Sequence, residues 1–283
     1  MHLTRHPDAE AFLRDAQPHL ERAEAENNLA LGGALGLVGR PAHPERPRYF
    51  ATVREGGELL VAAIRTPPFP VALAGGGADV GAALERVAED LLAAGVRPGG
   101  VFGPAALAEG FAERWTRATG EAARVAMRER LFALTEVLPV REAPGALRRA
   151  HEADEETVAR WMAAFDAEAL GEADEERARA AARRRIGAGE MWVWEVEGEP
   201  RAMAASDRPT RNGVAVNAVY TPPEWRGRGY ATTAVARLSA GLLAEGRRFC
   251  VLFTDLANPT SNAIYVRIGY RPLADFTLHR FGA

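Results

Sequence analysis

The chain has 283 residues, enough for about two domains of ordinary size. Its 47% hydrophobic and 26% charged residues suit a soluble globular core, and a net charge of -3 supplies no field that would hold nucleic acid. One cysteine, Cys250, and no lysine among the 35 basic residues exclude disulfide frameworks, cysteine-rich zinc sites, a Schiff-base lysine and a glycine–lysine phosphate loop.

Residues 7 to about 31 read as a helix, with Phe12, Leu13, Ala16 and Leu20 at helical spacing. A proline-rich loop over 40–47 precedes a hairpin, 48–54 and 58–66, turning at Glu55-Gly56-Gly57. A third strand over 69–74 ends at Gly75-Gly76-Gly77, and a helix capped by Asp79 runs to about 94. A short strand near Val101, a helix over 105–118 and a strand over 123–134 complete the first half. After a linker at 139–144 the order begins again. A strand over 146–150 leads to helices over 155–170 and 172–186, then a hairpin, 191–196 and 201–206, around Glu197-Gly198-Glu199-Pro200. A strand over 213–220, a helix over 229–245, a strand over 249–254, a helix over 258–268 and a strand over 270–281 close the chain.

Both halves thus run helices, hairpin, strand, glycine turn, helix, strand, helix, strand. This predicts a duplicated α/β unit with a mixed sheet, dividing near 1–140 and 145–283, rather than two unrelated α/β domains. No run approaches the 18 apolar residues of a membrane span, and residues 1–10 lack the apolar core of a secretory signal, so a cytoplasmic protein is expected. The motifs G-x-S-x-G, H-E-x-x-H and G-x-G-x-x-G are missing, which removes the usual handles for hydrolase, zinc-protease and dinucleotide readings.

The chemistry concentrates in the last third. From Val219-Tyr220-Thr221 the chain passes through Pro222-Pro223-Glu224-Trp225 into Arg226-Gly227-Arg228-Gly229-Tyr230-Ala231-Thr232, a strand-to-helix turn. Unpaired N–H groups and the helix dipole favour an anion there, and the glycines allow close approach. Further on stands Asn258-Pro259-Thr260-Ser261-Asn262-Ala263-Ile264-Tyr265-Val266-Arg267-Ile268-Gly269-Tyr270. Tyr265 lies two helical turns after Asn258, on the same side.

The first motif fits Q/R-x-x-G-x-G/A and the second resembles N-x6-Y-x3-G-F/Y, so the last 60 or so residues resemble the GNAT acetyltransferase superfamily; the final region is also similar to glycine N-acyltransferase-type domains. The resemblance implies that acetyl-CoA, or another acyl-CoA, is bound with its pyrophosphate on the amides of the loop carrying Arg226, Gly227, Arg228, Gly229, Tyr230, Ala231 and Thr232. It places the pantetheine arm beside Val219, Tyr220 and Thr221, where strands splay, with Asn258 and Asn262 bonding the arm or capping the helix. It makes Tyr265 the general acid for the departing thiolate.

Some members of that superfamily carry a glutamate base five residues before the asparagine; here the position is Phe253. An amine of pKa about 10 must lose a proton before attack. Asp255 is the candidate base, beside Thr254, Glu224 or a water chain. His151 and His279 read as surface or packing residues, Cys250 as buried packing, and Trp161, Phe165 and Trp192 as core residues or as one wall of an acceptor pocket. In the first half the turn at Gly75-Gly76-Gly77-Ala78-Asp79 lacks arginine, Asp79 opposes a pyrophosphate, and Trp115 stands near where Tyr265 would fall. That half is expected to be a degenerate unit that completes the pocket. The expected activity is direct acyl transfer from coenzyme A to a small amine or amino acid, with no metal, no nucleic acid and no membrane. An idle acyl-CoA-binding protein is the alternative, and an aminoacyl-tRNA-dependent transferase a third reading. A monomer is expected, with a dimer the alternative.

Overall fold

The computed structural model describes residues 1–77, 80–171 and 173–282; the expected cap at Asp79 and the helix start at Glu172 lie outside the described residues. The first half runs β1 (His2–Arg5), α1 (Ala9–Leu20), α2 (Asn28–Leu35), β2 (Tyr49–Glu55), β3 (Glu58–Arg65), β4 (Val71–Gly75), α3 (Gly81–Ala93), β5 (Gly100–Pro104), α4 (Ala105–Thr119) and β6 (Ala123–Leu134). The second repeats that order: β7 (Ala146–Arg149), α5 (Glu155–Leu170), α6 (Glu175–Gly187), β8 (Met191–Val196), β9 (Glu199–Asp207), β10 (Gly213–Tyr220), α7 (Tyr230–Ala244), β11 (Phe249–Asp255), α8 (Pro259–Ile268) and β12 (Arg271–Phe281). The short strand β1, which pairs antiparallel with β2, adds an element that the sequence pattern did not reveal.

The expected helix over 7–31 is two helices. Pro18 sits near the end of α1, Asn27 Nδ2 donates to the Leu20 carbonyl, and Glu24 is drawn away to accept hydrogen bonds from the Asn212 backbone N–H and side chain at 2.7 and 2.6 Å. The segment between them forms a single 3-10 turn, Glu21–Ala23.

All twelve strands join one sheet in the order β1-β2-β3-β4-β5-β12-β6-β11-β10-β9-β8-β7. The order is palindromic by position within each half. Its centre is the long antiparallel pair β6–β12, where Arg128 faces Thr277 and Glu129 faces Phe276. The last strand of each half is exchanged: β6 lies between β11 and β12 of the second half, and β12 lies between β5 and β6 of the first.

Alternation along the strands sorts the helices between two faces. On one face α3 and α4 cover Val61, Val71, Leu73 and Val101, while α7 and α8 cover Phe132, Val214, Val216 and Leu252. On the other, α1 and α2 cover Phe50, Ala62 and Ile64, while α5 and α6 cover Met191, Val193, Met203 and Ala205. Between those two helix pairs a central apolar floor remains, made of Leu131, Ala215, Val251, Phe276, Phe102 and Phe253. Among the described residues, no helix is long and apolar enough to cross a membrane.

Candidate active site

Strands β10 and β11 run parallel but pair only at Gly213–Phe249, Val214–Cys250 and Ala215–Val251. Both continue, to Tyr220 and Asp255, so they separate into a V. The cause lies in β10. Its register with β9 shifts between Asn217 and Tyr220, and Ala218 has a φ of 47°. A bulge of this kind bends the strand and releases its ladder groups. The arm of β10 carrying Val219, Tyr220 and Thr221 is thereby freed along one side. The Thr221 Oγ1 is buried and has no partner among the described residues.

The chain then turns into α7 through Arg226–Gly227–Arg228–Gly229. Gly227 and Gly229 adopt φ of 76° and 84°, left-handed conformations that favour glycine, and a Cβ at Gly227 would meet only open space. Among the described residues, no acceptor takes the N–H groups of Gly227, Arg228, Gly229, Tyr230, Ala231 or Thr232; the first helical bond is Thr233 N–H to the Gly229 carbonyl. The result is an exposed row of free donors at the positive end of a 15-residue helix. The two arginines differ. Arg226 is held by Glu168, at 2.7 and 2.8 Å, and donates to the Thr221 carbonyl at 2.9 Å. Arg228 forms no ion pair among the described residues and lies over the Trp225 ring at 4.7 Å.

The second motif closes the V from the α8 side. The Asn258 side chain caps α8 by accepting the Ser261 N–H at 3.0 Å, and Asn262 Nδ2 donates to the carbonyls of Asp255 and Asn258. Both asparagines therefore fix the β11–α8 junction. Tyr265 is buried in the core beneath α7 and α8, in edge-to-face contact with Tyr270 at 6.0 Å. Its hydroxyl makes no hydrogen bond to the described residues, and burial pushes its pKa up to about 12.

Asp255 ends β11, where its Oδ1 accepts the Ala257 N–H at 2.8 Å in a turn. Directly across the ladder from it stands Glu129 of β6, a residue that the sequence pattern left unnoticed. Both point to the face carrying the apolar floor, as does Phe253 opposite Leu131. Burial, and then the Asp255 charge, push the Glu129 carboxyl up to about 7, against the opposing pull of the Arg208 guanidinium. Arg208 follows β9 at a φ of 47°, and Asp207 beside it accepts from Arg185 at 3.2 Å and from Asn217 at 3.2 Å.

The remaining candidates separate by face. Trp161 packs under α5 with Phe165 against it, on the floor's side of the sheet. Trp192 packs on the opposite side, with α7, and is remote from the wall that α5 and α6 form. His279 is buried and burial lowers its pKa; Cys250 is buried in β11 and pushed up to about 12.

In the corresponding turn of the first half two glycine donors are used internally. Gly76 N–H goes to the Leu60 carbonyl at 2.9 Å and Gly75 N–H to Asn27 Oδ1 at 3.3 Å. Trp115 is fully buried, its Nε1 donating to Glu121 at 2.9 Å.

The loop fits a pyrophosphate. Six free N–H groups, an unobstructed approach at Gly227 and an orphaned hydroxyl at Thr221 are what a nucleotide-bearing thioester would occupy. Residues 152–270 match the acetyltransferase (GNAT) family model. No curated protein matches the sequence. Among solved structures, the chain is similar to a GCN5-related N-acetyltransferase from Sphaerobacter thermophilus at 17% identity, with a TM-score of 0.62 and 99% of this chain and 97% of that chain covered. A tandem GNAT protein from the clavulanic acid biosynthesis pathway aligns at 14% identity and a TM-score of 0.59, covering 100% and 99%. A protein of Drosophila aligns at 14% and 0.68, covering 99% and 98%. These likenesses are of fold, and with the repeated element order they make the chain a tandem of two GNAT-like units. The second half, over residues 152–270, thus matches the acetyltransferase (GNAT) family, on a chain whose first half repeats the same order of elements.

Proposed function

We propose that the chain transfers an acyl group, acetyl in the simplest case, from coenzyme A to the nitrogen of a small amine or amino acid, directly and without a covalent enzyme intermediate. The single observation that carries this reading is the row of free amides from Gly227 to Thr232 beside the open V of β10 and β11. The amides hold the pyrophosphate, with Arg228 adding charge from above. Val219, Tyr220 and Thr221 line the pantetheine arm, and Asn258 and Asn262 keep the junction rigid behind it. When bound, the thioester supplies the acyl group and a thiol leaving group. Tyr265 holds a proton at its Oη and delivers it to the departing sulfur. Because its pKa lies well above a thiol's 8.5, that transfer demands close positioning, which its buried ring provides.

In the first half Gly75 and Gly76 spend their N–H groups within the turn, and that half is read as contributing walls and strands in place of a second cofactor site. The similarity of the final region to glycine N-acyltransferase-type domains makes longer acyl-CoA esters the donors to compare with acetyl-CoA.

Calorimetric titration of the purified chain with acetyl-CoA and longer acyl-CoA esters tests the reading, with Gly229→Glu as control. Micromolar or tighter binding by wild type, lost in the variant, supports it, since a glutamate there sets a charge and a side chain against the pyrophosphate. Equal binding by both would move the cofactor elsewhere. Binding by wild type without thiol release to any amine would favour an idle acyl-CoA-binding protein.

A further inference from the structure

The acyl transfer proposed above needs a proton acceptor, and the strand nearest the V offers only Asp255, at its end. The β11 side chain facing the floor is Phe253, packed on Phe276 at 4.9 Å. Asp255 spends one oxygen on its own turn. Strand exchange changes what the neighbouring ladder presents. In the slot beside β11 lies β6, from the first half, and its Glu129 is level with Asp255, one step diagonally from Phe253 and on the same face. Adjacent strands lie about 4.8 Å apart, so a glutamate on β6 reaches over β11 toward the V with its extended side chain, or with one water.

We propose that Glu129 is the general base of the second half's active site, a catalytic residue supplied by the first half through the exchanged strand. The inference rests on the acyltransferase reading. In the step, the acceptor ammonium gives one proton to the Glu129 carboxylate, leaving a neutral amine. The amine nitrogen bonds the thioester carbonyl carbon, the carbon–sulfur bond breaks, and the thiolate takes the Tyr265 proton. The second amine proton leaves as the amide forms, and both groups return to their starting states through solvent.

The surroundings suit the task. Glu129 sits deep in the molecule yet is only partly covered, as a group lining a cleft must be. Two charges face it: Asp255 from β11, which raises its proton affinity, and Arg208 from the end of β9, which opposes that rise. From β12 the Phe276 ring faces it, and along β6 Met127 and Leu131 flank it. A carboxylate titrating close to neutrality is matched to accepting a proton at physiological pH.

The test follows thiol release from acetyl-CoA by the full-length chain, with glycine, ethanolamine, putrescine and glucosamine as acceptor probes, between about pH 5.5 and 9.5. Wild type should show an acid limb in kcat/KM with an apparent pKa near 7. Glu129→Gln should lose on the order of 100-fold or more at neutral pH together with that limb. Its calorimetric affinity for acetyl-CoA should stay at the wild-type value. Asp255→Asn should shift the limb to lower pH without abolishing it, because a repelling charge has gone.

An unaltered profile in Glu129→Gln overturns the proposal while leaving the acyltransferase reading intact. Loss of both turnover and the limb in Asp255→Asn assigns the base to Asp255 instead. A wild type that binds no acetyl-CoA, or binds it and releases no thiol with any probe, removes the reaction itself and the proposal with it.

Discussion

Trp115, in the core of the first half, stacks on Phe281, eleven residues into the final strand, with ring centroids 5.6 Å apart and planes at 22°. The last turn of the polypeptide thus belongs to the core of its beginning. Phe281→Ala should cost about 2 kcal/mol, below the roughly 3–5 kcal/mol for a fully packed aromatic, because the ring is only partly buried. The loss should appear as one cooperative transition moved down by roughly 5 °C in a calorimetric scan. Two resolved transitions, with only the first shifted, would show that the halves unfold separately in spite of the exchanged strands.

Tyr265→Phe separates chemistry from folding. The hydroxyl has no hydrogen-bond partner among the described residues, so its removal should change stability by less than about 0.5 kcal/mol in a urea titration. On the proposed mechanism kcat should fall by about 100-fold, with acetyl-CoA affinity unchanged. Wild-type turnover in this variant would remove Tyr265 from proton transfer.

Arg226 and Arg228 should not respond alike, although the motif treats them as a pair. Arg226 is committed to Glu168, so Arg226→Ala should weaken acetyl-CoA binding by only about threefold, a loss typical of a remote surface charge. Arg228 has no competing carboxylate, and its replacement should cost about tenfold, with strong dependence on salt. Calorimetry at two ionic strengths distinguishes them.

Glu129 predicts an unusual pH dependence of stability. Its folded pKa of about 7 lies above the ordinary 4.5, so the native state holds the proton more tightly than the unfolded chain. The associated stability is fully present below pH 4.5 and is lost as pH rises through 7. Glu129→Gln removes that loss. It should be more stable than wild type by up to about 2 kcal/mol at pH 8 and indistinguishable near pH 4. Denaturant midpoints at the two pH values check this, and a destabilised variant at pH 8 would contradict it.

What the sequence disclosed and what it hid follow from how local each signal is. The hairpin β2–β3 turns where Gly56 and Gly57 both need positive φ, and the loop before α7 carries the same glycine signature. The β6 segment was legible as a strand, but its neighbours were not, since strand partners are chosen by contacts far along the chain. In the run Arg128-Glu129-Arg130 the glutamate reads as one more solvated charge. Only its place opposite Asp255 and Phe276 distinguishes it from Arg130, which pairs with Asp275 at the surface at 2.6 Å. Trp192 shows the same limit: it reads as a core residue or as part of a pocket wall, and the sheet decides on which side it lies.

The exchange of β6 and β12 also sets the order of events during synthesis. When β6 leaves the ribosome, the strands destined for both its edges, β11 and β12, have not been made, and β5 is separated from it by an empty slot. The nascent first half therefore presents open ladder edges until the eleven residues of β12 arrive. The central sheet can close only once β12 has been made, which makes that strand the latch between the two halves.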